Sequence, residues 1–156
     1  MSKYSLVLDT GVILPFSFYA LPTSKKKVIE LLLDNFDVYI PEKVVKEMER
    51  KKRRLQDQWD EISLTWERVE GRFNKEEPPN SCLDYIVTKS GKHDLTRIPA
   101  EFDVLALGLF LSRSQNSLIF LATHEKDAFM LFNELSRKEQ IGYIFSPFDI
   151  LLFSCI

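Results

Sequence analysis

Three short apolar runs punctuate the chain: Tyr4-Ser5-Leu6-Val7-Leu8, Phe36-Asp37-Val38-Tyr39-Ile40 and Ser117-Leu118-Ile119-Phe120-Leu121-Ala122. The stretches between them carry apolar residues at helical spacing. Runs of four to eight β-prone residues bounded by turn formers read as buried strands. Strands that alternate with helices imply right-handed crossovers and a parallel sheet with helices on both sides. The expected fold class is therefore α/β, a three-layer α/β/α sandwich around a central, mostly parallel sheet. At 156 residues, 45% hydrophobic and 28% charged, the chain has material for one core and an ordinary globular composition.

A single domain over 1–156 is expected. Strand one covers Lys3 to Leu8. A loop with Pro15 and Pro22 follows, then a helix capped by Thr23 or Ser24, with Val28, Ile29, Leu31, Leu32 and Leu33 on its apolar face. Pro41 opens a long helical segment, 42–73, that is either one helix or a hairpin broken near Gln56 to Gln58. The charged, proline-containing loop near 74–80 is the expected place for mobility. Ser81 to Ser90 reads as a short helix stopped by Gly91, Lys92 to Pro99 as a loop, and Ala100 to Arg113 as an apolar helix. A helix from Lys126 to Arg137, a strand from Gly142 to Phe145 and a terminal helix from Pro147 to Phe153 complete the chain.

The formal net charge of -2 argues against a generally basic nucleic-acid binder but leaves room for a local basic face. Lys43, Lys46, Arg50, Lys51, Lys52, Arg53 and Arg54 supply one, as a solvated helix face or as a rim for phosphates. Trp59 and Trp66 share one helical face, where core packing is a better reading than base stacking. Cys82 and Cys155 show no metal-ligand spacing and read as reduced thiols of a cytoplasmic protein. The start of the chain does not read as a signal peptide, and no apolar stretch approaches the roughly 20 residues that span a bilayer, so no membrane partner is expected.

Asp9 ends strand one just before Thr10-Gly11. Open parallel sheets bind ligands at that edge, so Asp9 is either a turn former or a metal ligand. Glu47 lies on the second turn of the helix leaving strand two. Asp103 lies in the first turn of the helix feeding strand SLIFLA, and Glu125 and Asp127 follow that strand. Each has an ordinary reading: Glu47 as a surface pair with Arg50 or Lys51, Asp103 and Glu125 as first-turn acids favoured by the helix dipole, Asp127 as a solvated residue. Gathered at one edge, such carboxylates repel unless a cation neutralises them, and hard oxygen donors suit Mg²⁺ or Mn²⁺. His124 reads as a polar turn residue, and His93 carries no signal.

Taken in order, these motifs resemble those of the PIN domain, a family of metal-dependent nucleases. The resemblance runs through nearly the whole chain: Leu6-Val7-Leu8-Asp9-Thr10, Glu47 within Ile40-Pro41-Glu42-Lys43-Val44-Val45-Lys46-Glu47-Met48, Asp103-Val104-Leu105-Ala106-Leu107, Thr123-His124-Glu125-Lys126-Asp127, and the closing IGYIFSPFDIL. It implies a ribonuclease that cleaves single-stranded or structured RNA by water attack on the phosphodiester, with no covalent intermediate. Asp9, Glu47, Asp103, Glu125 and Asp127 would be its catalytic set; Asp9, Asp103, Glu125 and Asp127 would hold Mg²⁺ or Mn²⁺. Thr10, Lys46, Arg50, Lys51, Arg53, Arg54 and Thr123 are the expected nucleic-acid contacts. Small members of the family are often toxins held inactive by a protein antitoxin, and often homodimers.

Two departures from the family pattern matter. Glu125 stands where Asp is usual, and Gly11 where a hydroxyl residue is common. They keep open a second expectation, a catalytically inactive PIN-like module that binds RNA or a protein. A receiver-type phosphoacceptor fits less well, because Asp103 falls inside a helix and Ser146-Pro147, not a lysine, follow the last strand.

Overall fold

β1, Tyr4–Leu8, is paired on both sides by strands that run parallel to it. Leu6, Val7 and Leu8 are fully buried, as a strand covered on both faces requires. The computed structural model describes residues 3–22, 25–51, 56–91, 99–116, 119–123, 126–139 and 142–145. The sheet has five parallel strands in the order β3-β2-β1-β4-β5, with β2 at Phe36–Ile40, β3 at Asn74–Lys75, β4 at Ile119–Ala122 and β5 at Gly142–Phe145. Register places Tyr4 beside Phe36 and Leu8 beside Ala122.

The strand order grows outward from β1 in two directions, first through β2 to β3, then through β4 to β5. Right-handed crossovers therefore put the helices before β3 on one face and those after it on the other. On the first face lie α1 (Thr10–Phe18), α2 (Val28–Asn35), α3 (Glu42–Lys51) and α4 (Gln56–Val69); on the second lie α5 (Asn80–Ser90), α6 (Ala100–Gln115) and α7 (Lys126–Glu139). Contacts follow this division: α1 packs on α2, α3 and α4, and α6 packs on α5, α7, β1 and β4. The α/β sandwich expected from the sequence is the fold observed.

Differences from the sequence reading have identifiable causes. The segment with Pro15 is a helix, α1, and not a loop. Pro15 sits inside it, which removes one backbone hydrogen bond. Val12, Ile13 and Phe16 on the same helix are buried, and that burial outweighs the loss. Helix α2 starts at Val28 with Lys27 at its cap, where the Glu30 carboxylate accepts the Lys27 N–H at 2.8 Å; Thr23 and Ser24 lie outside the described residues. The helical segment 42–73 is divided: α3 ends at Lys51, α4 begins at Gln56, and a 3-10 turn, Glu70–Arg72, follows.

The loop expected near 74–80 is tied to the sheet. Asn74–Lys75 forms edge strand β3 against Tyr39 and Ile40, and the Glu77 carboxylate accepts the Glu42 N–H at 2.6 Å. That bond satisfies one of the unpaired amides that open α3. Trp59 and Trp66 are buried in the core, so packing is their role and base stacking is not. Helix α5 ends as expected on Gly91, whose φ of 70° is the left-handed cap that glycine adopts freely. The expected terminal helix from Pro147 to Phe153 lies outside the described residues. Among the described residues no helix is long and apolar enough to cross a membrane.

Helix α6 lies close on the sheet because Gly108 has no side chain. A Cβ there would stand 2.9 Å from Leu121 Cδ1 and 3.0 Å from Cδ2, and Leu121 is fully buried. Gly108→Val should therefore lower stability by about 1–3 kcal/mol through overpacking, read as a fall in the urea midpoint at unchanged slope. An unchanged midpoint would mean that α6 can move off β4 freely.

Candidate functional site

The strand order reverses direction beside β1, so β1 and β4 leave a crevice at their carboxyl ends, where α/β sheets place ligands. Asp9 follows β1 there, and Thr123 follows β4. Helix α3 leaves the same edge from β2, and α6, which runs back towards the start of β4, brings its first turn to it. The local sequence explains each placement. An apolar strand must stop where its side chains reach water, and the next residue starts the following helix.

Asp9 occupies the N-cap position of α1. Its carbonyl accepts the N–H groups of Val12 at 3.0 Å and Ile13 at 3.1 Å, but its side chain makes no cap hydrogen bond. The carboxylate instead accepts the Thr123 hydroxyl at 3.0 Å on Oδ2. Asp9 and Thr123 are 5% and 2% exposed. The turn-former reading of Asp9 thus gives way to that of a buried acid aimed across the crevice and held by the neighbouring strand.

Glu47, half-buried on α3, accepts the Thr10 hydroxyl at 2.7 Å on Oε2. Thr10 is itself 3% exposed. Thr10 and Thr123 were expected at the nucleic acid; their burial rules out that contact, and their hydroxyls position Glu47 and Asp9 instead. The ordinary reading of Glu47, as a surface pair with Arg50 or Lys51, does not describe its position.

Asp103, in the first turn of α6, is 3% exposed. The Lys43 ammonium lies 3.0 Å from its Oδ2. That approach is an ion pair of poor hydrogen-bond geometry, and Oδ2 has no hydrogen-bonded partner among the described residues. Burial pushes the Asp103 carboxyl above its ordinary value of 3.8; Lys43 opposes the shift and the negative charge of Glu47 adds to it. Glu47 and Asp103 therefore feel one another's charge, although they stand on helices from opposite faces of the sheet.

The other expected residues divide. Asp127, at the start of α7, is exposed, and no described contact joins it to the buried acids. Glu125 and His124 lie outside the described residues, as do Arg53, Arg54, Lys52 and His93. Lys46 and Arg50 are exposed along α3 and Lys51 is half-buried, with Lys46 3.5 Å from Glu42. The basic face thus begins one turn from Lys43 and Glu47 and leads away from the crevice.

The donor chemistry fits a hard divalent cation. Three carboxylates from three elements meet the edge, and the buried Asp103 Oδ2 is short of a hydrogen bond. As the side chains stand, each acid is engaged by its own partner, and no group of three or more Asp, Glu, His or Cys side chains among the described residues converges closely enough to hold a metal. No protein-family model matches the chain, and no curated protein matches it.

Lys43 is the site residue that sequence reasoning missed. It was grouped with the exposed basic run, yet it lies one turn before Glu47 and so on the same face of α3, which is the signal that pointed to it.

A raised carboxyl has a defined effect on stability. The folded chain holds the Asp103 proton more tightly than the unfolded chain, so that stabilisation is full below about pH 3.8 and is lost as pH rises through the raised value. Asp103→Asn should therefore unfold at a higher temperature than the parent at pH 7, with the gap closing towards pH 4. Thermal unfolding of both proteins from pH 4 to 8 checks this; a gap independent of pH contradicts it.

Proposed function

We propose that this chain is a metal-dependent endoribonuclease of the PIN type. The observation that carries the reading is a pair of nearly fully buried carboxylates, Asp9 and Asp103, brought to the carboxyl edge of a parallel sheet at its topological switch point. Buried acids destabilise a fold unless they are paired, so their presence in a cleft points to a site with work to do.

Asp9, Asp103 and Glu47 would hold Mg²⁺ or Mn²⁺, with Glu125 completing the set from the turn after β4; the exposed Asp127 is the weaker candidate for that place. When bound, such a cation supplies Lewis acidity, which lowers the pKa of water for attack on the phosphodiester and stabilises charge on the leaving 3′ oxygen. The chain's own residues do the rest. Thr123 fixes the Asp9 carboxylate and Thr10 fixes Glu47, so neither acid has to be ordered when substrate arrives. Lys46, Arg50 and Lys51 offer phosphate contacts along α3. These contacts position a strand without reading its bases, which suits single-stranded or structured RNA. A protein antitoxin and a homodimer come with the same resemblance, and neither is needed for this chemistry. A cytoplasmic location suits an RNA substrate.

The Lys43–Asp103 ion pair favours a second reading, a catalytically inactive module that binds RNA or a protein, since a lysine there neutralises the acid without a metal. Labelled single-stranded RNA with Mn²⁺ separates the two. The parent protein should cleave it. Asp9→Asn should lose more than about 100-fold, and Thr123→Val, which removes only the positioning hydroxyl, about 10- to 100-fold. RNA binding with no cleavage under Mg²⁺ or Mn²⁺ would select the inactive module.

A further inference from the structure

Lys43 ties itself to the acid that the proposed chemistry needs. Its ammonium lies 3.0 Å from Asp103 Oδ2; the Lys43 side chain is 39% exposed and that of Asp103 is 4% exposed. The contact joins the first turns of α3 and α6. One turn further along α3, Glu47 is held by Thr10. Lys43 and Glu47 thus stand at i and i+4 on one face of α3, at the same crevice edge as Asp103.

The charges explain the arrangement. Asp103 is buried, and a buried carboxylate with no countercharge is costly. Glu47 adds a second negative charge within electrostatic reach. The Lys43 ammonium compensates Asp103, while its exposed stem lets the same head swing into water without unfolding anything. Its pairing with Oδ2 is a charge contact of poor hydrogen-bond geometry, so it is more easily given up than a well-aligned one.

Resting on the metal-site reading above, we propose that Lys43 is a tethered cation that occupies Asp103 when no metal is present and is displaced when a divalent ion binds. Lys43 is then neither a metal ligand nor part of the exposed phosphate rim. It sets the affinity threshold of the site: an ion must outcompete an attached ammonium, so weak or monovalent cations do not load it. The exchange substitutes two positive charges for one among three carboxylates and moves no backbone.

Calorimetric titration of metal-free protein with Mn²⁺, in the absence of RNA, tests this without reference to catalysis. Lys43→Gln should bind Mn²⁺ about 10- to 100-fold more tightly than the parent, the range expected from removing one charge-assisted contact. Lys43→Arg, which keeps a tethered cation, should bind like the parent. Metal-free Lys43→Gln should unfold at a lower temperature than the parent and gain more from added Mn²⁺, which shows that it folds and that Asp103 has lost its countercharge. Equal or weaker Mn²⁺ binding by Lys43→Gln, with clear binding by the parent, overturns the competition while the metal site stands. If neither protein binds Mn²⁺, both the competition and the metal-site reading fail.

Discussion

The structure depends on β1 being paired on both sides. A strand flanked by parallel neighbours and covered on both faces must be apolar throughout, and Leu6, Val7 and Leu8 satisfy that demand completely. The sheet then grows outward from it in opposite directions, and that reversal opens a crevice at the carboxyl end of β1 and β4. The residue after β1 cannot avoid lying at the crevice. That residue is Asp9, so the packing requirement of the central strand and the position of the principal acid are one constraint.

The crevice is held together by polar pairs that span the sheet: Thr123 to Asp9, Thr10 to Glu47 and Lys43 to Asp103. Each joins an acid to an element other than its own, which is how a small domain fixes carboxylates that would otherwise repel. The arrangement is not optimised for stability. Desolvation of Asp103 outweighs the help it receives from Lys43, and a neutral side chain of the same shape would sit there more comfortably. Retaining an acid in such a place is what a binding or catalytic site requires.

Much of the fold was legible because the main strands announce themselves as apolar runs. FDVYI and GYIF were placed to the residue, and α6 and α7 differ from their expected bounds by two residues at one end. Helix α1 was missed because Pro15 is a local helix breaker, whereas the burial of Val12, Ile13 and Phe16 is a tertiary matter. Strand β3 was missed because two residues carry no periodicity. In the site, the order of the acids along the chain was readable, since it follows from which element each one ends or begins. Their partners were not. Thr10, Thr123 and Lys43 take their roles from contacts between segments far apart in sequence, and as isolated residues they resemble turn formers and surface charge.

The central claim is that these acids meet to hold a divalent cation for RNA cleavage. Crystals soaked in Mn²⁺ and measured for its anomalous scattering test it most directly. The account predicts a strong peak bound to carboxylate oxygens of Asp9 and Asp103, with the Lys43 ammonium moved away. A crevice with no peak at saturating Mn²⁺, and Lys43 still on Asp103, would contradict it.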